Sequence, residues 1–246
     1  MRQRFEGAVT IVTGATRGMG EAIVRALVAE GGRVVFTGRD RGAGAALEAQ
    51  LAGAAEFVCQ DVGVEEDWRA VVSHTLARMG CIDGLVNNAG LMGKNPIEGT
   101  TPQQIADLIA TNQTSILLGM KYVVGPMRAG GGGSIVNIGS VAALRGMAGI
   151  SAYSGAKAAV AAMTRAAAIE LAPDRIRVNV VHPGPFATRM LSDSMGSEGE
   201  EYAKAAVPMG RVGQPREMAG PVLFLLSDES SYITGAELSV DGGLNL

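Results

Sequence analysis

Short β-branched runs recur along the chain, each followed by a longer stretch with apolar residues at helical spacing. The runs 9–13, 33–37, 56–60, 84–87, 134–138, 176–181 and 238–240 are largely apolar and do not alternate. That is the pattern of strands covered on both faces. Helical patterns fill 21–30, 43–51, 65–79, 102–127, 152–171 and 215–227. Gly31–Gly32 and Gly130–Gly133 supply stops, and Thr101 followed by Pro102 supplies a start. Strand–helix alternation repeated this often predicts βαβ units and a parallel, doubly wound α/β sheet in a single domain over 1–246. Residues 183–213 break the rhythm. They are too long for a plain connection and are the expected substrate loop or lid.

Composition narrows the class. Glycine accounts for 35 of 246 residues, about twice the ordinary share, without a collagen period. A hydrophobic content of 47% excludes a disordered chain, and a net charge of −3 gives no basic footprint for nucleic acid. No apolar run reaches the ~20 residues of a membrane span. The first residues lead directly into a strand, so no secretory signal and a cytoplasmic location are expected. Cys59 and Cys81 stand apart, without metal-ligand spacing, and only His74 and His182 accompany them. No metal site is expected; the cysteines read as small buried residues in a reducing compartment.

The first strand runs into Thr13-Gly14-Ala15-Thr16-Arg17-Gly18-Met19-Gly20, and a helix follows at once. Gly14 permits a tight turn, Gly18 lets the backbone approach a pyrophosphate, and Gly20 lets the helix pack closely on the sheet. Amides and the helix dipole then face the anion, with Gly14, Thr16, Arg17, Gly18, Met19 and Gly20 as its cradle. The spacing is GxxxGxG, and the Gly-Lys-Ser/Thr of a P-loop is missing. At the end of the second strand, an acidic residue would hold the ribose hydroxyls of NAD and an arginine the 2′-phosphate of NADP. Here Gly38 takes the usual acidic position, leaving Arg39 and Arg17 to face a phosphate. NADP(H) is therefore the expected cofactor, with NAD(H) left open by the neighbouring Asp40.

Tyr153 and Lys157 are spaced i,i+4 at the start of an alanine-rich helix, on one face. A phenol is a poor acid–base catalyst at pH 7, and an adjacent ammonium, aided by a nicotinamide cation, favours the phenolate. Ser140 ends the fifth strand, at the carboxyl edge where parallel sheets hold ligands. Its hydroxyl is placed to bond a substrate carbonyl or alcohol.

With these residues in view, the whole chain resembles the short-chain dehydrogenase/reductases, whose fold is of the Rossmann type. Thr13–Gly20 matches the family's TGxxxGxG, and Asn87-Asn88-Ala89-Gly90 its NNAG. Asn112, Ser140, Tyr153 and Lys157 match its catalytic tetrad in order. Asp61 and Val62 are similar to the adenine-contacting pair. Pro183, Gly184, Phe186 and Thr188 resemble the nicotinamide-side segment, with Phe186 in place of the commoner isoleucine. Thr234-Gly235 and Val240-Asp241-Gly242-Gly243 match its usual ending.

The resemblance implies roles. Tyr153 is the acid in ketone reduction and the base in alcohol oxidation. Lys157 holds the nicotinamide ribose and lowers the tyrosine pKa. Ser140 orients the substrate oxygen, and Asn112 holds a water in a proton relay; Asn88, Ala89 and Gly90 border the cofactor. The expected substrate is a secondary alcohol or ketone.

Leu91, Met92, Leu144, Met147, Ile150, Phe186, Met190 and Met195 are candidate pocket residues, and their apolar character suits a cyclic, steroid- or terpenoid-like compound. One alternative is a 3-oxoacyl-carrier-protein reductase, for which Arg128 would serve a basic patch, although Ala168-Ile169-Glu170 lacks the expected arginine. The other is a non-catalytic dinucleotide-binding regulator, which would have no need of the tyrosine. Arg145 is read as a surface residue. Apolar residues around the helices at 102–127 and 152–171, with the alanines 158, 159, 161, 162, 166 and 167, predict a homotetramer or at least a dimer.

Overall fold

A computed structural model describes residues 3–195 and 199–246. Seven parallel strands form one sheet: β1 (Val9–Val12), β2 (Arg33–Gly38), β3 (Ala55–Cys59), β4 (Gly84–Asn87), β5 (Gly133–Ile138), β6 (Ile176–Pro183) and β7 (Glu237–Val240). Their order is β3-β2-β1-β4-β5-β6-β7, so the winding direction reverses between β1 and β4. A crevice opens at that switch point, outside the carboxyl ends of the strands.

Helices cover both faces. α1 (Gly18–Ala29), α2 (Arg41–Gln50) and α9 (Pro215–Leu226) lie over one, where Ile23, Leu27, Phe36, Met218 and Val222 form a core. α3 (Glu65–Met79), α5 (Ser115–Gly130) and α6 (Ser151–Leu171) lie over the other, with Trp68, Leu85, Ile116, Ile135 and Val160 between them and the sheet. Burial on both faces explains why the strands read as apolar runs.

The predicted helix at 102–127 is corrected. It is α4 (Pro102–Ile109), a π-turn at Ala110–Thr114, and then α5. Thr101 and Gln104 close a capping box at its start. Gly131, with φ 92°, ends α5. The stretch 183–213 carries structure of its own, in α7 (Arg189–Met195) and α8 (Gly199–Ala206). Cys59 and Cys81 are half-buried and free rather than fully buried.

Candidate active site

The crevice has a volume of about 900 Å³ and runs from Arg39 and Asp40 past the glycine turn to Thr188 and Met190. The turn residues Gly14, Thr16, Arg17, Gly18, Met19 and Gly20 all line it, as do Asp61, Val62, Asn88, Ala89 and Gly90. Gly14 has φ +61°, and a Cβ there would stand 2.6 Å from Ala89 Cα. A Cβ on Gly20 would meet Asn88 Nδ2 at 2.6 Å. Side chains at these positions would fill the cradle and part α1 from the sheet.

Asn88 is committed to the scaffold: its amide donates to Thr13 O at 2.9 Å and Gly14 O at 3.0 Å. Thr13 Oγ1 in turn accepts from Asn88 N and Ala89 N at 3.0 and 3.1 Å. The ends of β1 and β4 are thus stitched into one rim. These features fit a dinucleotide, its pyrophosphate against the amides at the start of α1.

At the other end, a Cβ on Gly38 would stand 2.8 Å from Thr16 Cγ2, so an acidic side chain has no room there without displacing Thr16. Asp40 accepts from Ala43 N at 3.0 Å and caps α2. Arg17 and Arg39 are exposed on the crevice wall, and neither bonds another described side chain. Asp61 Oδ1 accepts from Gly63 N at 2.9 Å, which fixes the loop carrying Val62.

The four tetrad positions converge beyond β4 and β5. Tyr153 and Lys157 share the inner face of α6, and both are buried. Lys157 Nζ donates to Ile138 O at 2.9 Å, and burial lowers its pKa to about 8. Burial also raises the Tyr153 phenol above its usual value, while hydrogen bonding with Ser140 pulls it down. The expected lowering by Lys157 is therefore not what acts on the phenol in the protein by itself.

Ser140 Oγ accepts from Ala142 N at 3.1 Å, starting a short turn after β5. Asn112 sits in the π-turn, fully buried. Its Oδ1 accepts from Leu91 N at 2.9 Å and its Nδ2 donates to Leu91 O at 2.7 Å, so the side-chain amide holds the loop that follows Gly90.

The substrate-side residues divide. Leu91 and Met190 are exposed and line the crevice, whereas Leu144 and Met147 are exposed but line neither it nor the smaller cleft. Ile150 is buried beside Tyr153 and also walls a smaller cleft of about 230 Å³, shared with Leu91 and Met92. Phe186 is a correction: its side chain is buried in the core and packs on Gly213, so it lines neither cleft. Pro183 ends β6 and Gly184 follows it, and Thr188 reaches the crevice beside Gly18. The side chain of Met195 lies outside the described residues.

Gln60, Lys94, Thr111, Arg189 and Asp193 line the crevice without having been singled out in the sequence. Gln60 and Thr111 directly precede or follow read positions, whereas Lys94 carries no motif signal. Arg145 donates to Leu244 O and ties down the C-terminal segment. Among the described residues, no group of three His, Cys, Asp or Glu is placed to hold a metal, and no helix is long and apolar enough to cross a membrane.

Comparison with known proteins gives concordant matches. A family model described as enoyl-(acyl carrier protein) reductase matches residues 14–245. The chain is 41% identical over 243 residues to a 3-alpha-(or 20-beta)-hydroxysteroid dehydrogenase of Mycobacterium tuberculosis, covering 99% of this chain and 91% of that one. It is 38% identical over 246 residues to a cyclopentanol dehydrogenase of a Comamonas species, covering 98% of each. An NADP-dependent (R)-specific alcohol dehydrogenase of Lentilactobacillus kefiri is 36% identical over 248 residues, covering 99% of this chain and 98% of that one.

Proposed function

The chain belongs to the short-chain dehydrogenase/reductase family, and from that premise we propose roles for its site residues, a cofactor preference and a substrate class. It is an NAD(P)-dependent oxidoreductase acting on secondary alcohols and ketones, related to steroid and cyclic-alcohol dehydrogenases. The observation that carries the mechanism is the convergence of Ser140, Tyr153 and Lys157 beside the crevice that fits a dinucleotide.

When bound, the nicotinamide supplies the two-electron donor or acceptor. The chain supplies position and protons. Ser140 Oγ bonds the substrate oxygen. Tyr153 Oη gives that oxygen a proton as a ketone is reduced, and takes one as an alcohol is oxidised. Lys157 holds the nicotinamide ribose and, with the cationic ring, offsets the burial that raises the phenol. Asn112 serves the relay that returns the proton to solvent. The cradle of Gly14 to Gly20 holds the pyrophosphate, with Asp61 and Val62 at the adenine and Pro183, Gly184 and Thr188 at the nicotinamide.

NADP(H) is the preferred cofactor in this reading. Gly38 leaves no acidic partner for the ribose, Asp40 is occupied as a helix cap, and two arginines face the same wall. The stretch 183–213 is the substrate loop, and the substrate is an apolar, cyclic ketone or alcohol. Leu91, Met92 and Met190 support this, being apolar side chains that line the crevice. An acyl-carrier-protein substrate is the weaker reading, because Arg128 is paired with Asp174 at 2.6 Å.

The surface of α6, where Ala158, Ala162, Ala166 and Ile169 form an exposed stripe of mostly small residues, supports the reading of a homotetramer, or at least a dimer. Ala161 faces the chain's own core instead. The direct test is a panel of cyclic, steroidal, linear and acyl-thioester ketones, each assayed with NADPH and NADH. Highest kcat/KM on a cyclic ketone with NADPH supports the reading; highest kcat/KM on an acyl thioester refutes it.

A further inference from the structure

His182 is fully buried at the end of β6, and the mechanism above does not use it. Its neighbour Gly139 is the last residue of the β5 side to bond the ladder, donating to Val181 O at 2.8 Å. At Ser140 the imidazole takes over from the strand. Nδ1 lies 3.3 Å from Ser140 N and 3.0 Å from Ser140 O, while Nε2 lies 3.0 Å from Glu237 Oε2 on β7. Arg165 of α6 donates to the other carboxylate oxygen of Glu237.

With Nε2–H given to Glu237, the neutral ring accepts from the Ser140 N–H; a doubly protonated ring donates to Ser140 O. Either form bonds the Ser140 main chain on one side and Glu237 on the other. Gly139 makes the approach feasible, since a Cβ there would stand 2.6 Å from Nδ1.

We propose that His182, oriented by Glu237, is the positioning residue that fixes the Ser140 main chain and thereby aims the Ser140 hydroxyl at the substrate oxygen. The inference rests on the role given to Ser140 under Proposed function. Backbone bonds are the means: the ring touches no Ser140 Oγ proton and creates no nucleophile. A hydroxyl that must meet a reacting oxygen loses rate steeply when its support loosens. The chain Ser140–His182–Glu237–Arg165 also joins the ends of β5, β6 and β7 to the helix that carries Tyr153 and Lys157.

A double-mutant cycle tests this, with dinucleotide affinity read separately by fluorescence titration. His182→Leu should lower kcat at least tenfold while the dinucleotide dissociation constant stays within twofold. In a Ser140→Ala background the same change should have no further effect on kcat, because the group it positions is gone. His182→Asn keeps an acceptor near the Nδ1 position and should recover at least threefold over the leucine variant. If His182→Leu does not fold, Glu237→Ala enters the same cycle, with the same loss of effect expected in the Ser140→Ala background. Losses that multiply in the double variant, an unchanged kcat, or a dinucleotide affinity that falls with kcat would each overturn the proposal. Wild-type kcat in Ser140→Ala alone would overturn the reading of Ser140 itself, and the proposal with it.

Discussion

Replacing Lys157 by methionine should stabilise the dinucleotide-free protein while destroying its activity. Lys157 is 3% exposed, and its ammonium donates to Ile138 O at 2.9 Å. Burial lowers its pKa from 10.5 to about 8. At 1.36 kcal/mol per unit, that depression corresponds to about 3 kcal/mol held against the folded state.

The sign follows from which state holds more protons. Below pH 8 the ammonium is charged in both states and the cost is complete. Between pH 8 and 10.5 the folded protein gives up its proton first, the unfolded chain binds more protons, and stability rises with pH. Above 10.5 both states are neutral and the cost is gone. Methionine matches the stem but forfeits the charge-assisted bond to Ile138, about 2 kcal/mol. The net gain at pH 7 is therefore about 1 kcal/mol, or about 2–4 °C in Tm for a domain of this size.

The assay is denaturant and thermal unfolding of both proteins at matched concentration, at pH 7 and again at pH 10.5. The advantage of the variant should be lost at the higher pH, where the wild type no longer carries the buried charge. A variant less stable than wild type at pH 7, or an advantage of equal size at both pH values, refutes the reasoning. A stabilising loss of function at this position is what a strained catalytic group produces.

The remaining predictions concern the cofactor and the assembly. Arg39→Ala should raise KM for NADPH about tenfold or more while leaving KM for NADH within twofold, since an exposed charge-assisted bond to a phosphate is worth about 1.5 kcal/mol or more. Equal effects on both cofactors would point to Asp40 or another group as the determinant. Light scattering at micromolar concentration should give a particle about four times the 25.2 kDa of one chain. A stable species at the mass of one chain refutes the proposed pairing through α6.

Much of the fold was legible because covered parallel strands and glycine-terminated helices leave strong local marks. All seven strands lie where short apolar runs stand, with ends displaced by at most two residues. The π-turn at Ala110–Thr114 was not legible, because its residues keep helical periodicity and only the backbone register changes. α7 and α8 were missed because their sequences are short and carry no strong start signal.

At the site, residues marked by type and order could be placed: the glycine turn, Ser140 and the Tyr153–Lys157 pair lie where the motifs put them. What depended on packing could not. Phe186 looked like a pocket residue and is core, since nothing local reveals that Gly213 leaves a recess for its ring. That Asp40 caps α2 through one carboxylate oxygen while lining the crevice could not be read either. His182 was read only against a metal, because its partners Ser140 and Glu237 lie 42 and 55 residues away.

The central claim is that Tyr153 is the proton donor and acceptor, and Tyr153→Phe tests it most directly. The ring and its burial remain while the hydroxyl goes, so dinucleotide affinity, read by fluorescence titration, should stay within twofold of wild type. Turnover should fall by more than about 10²-fold at every pH, as expected when a general acid–base group is removed. A Tyr153→Phe enzyme with near-normal kcat would contradict the mechanism.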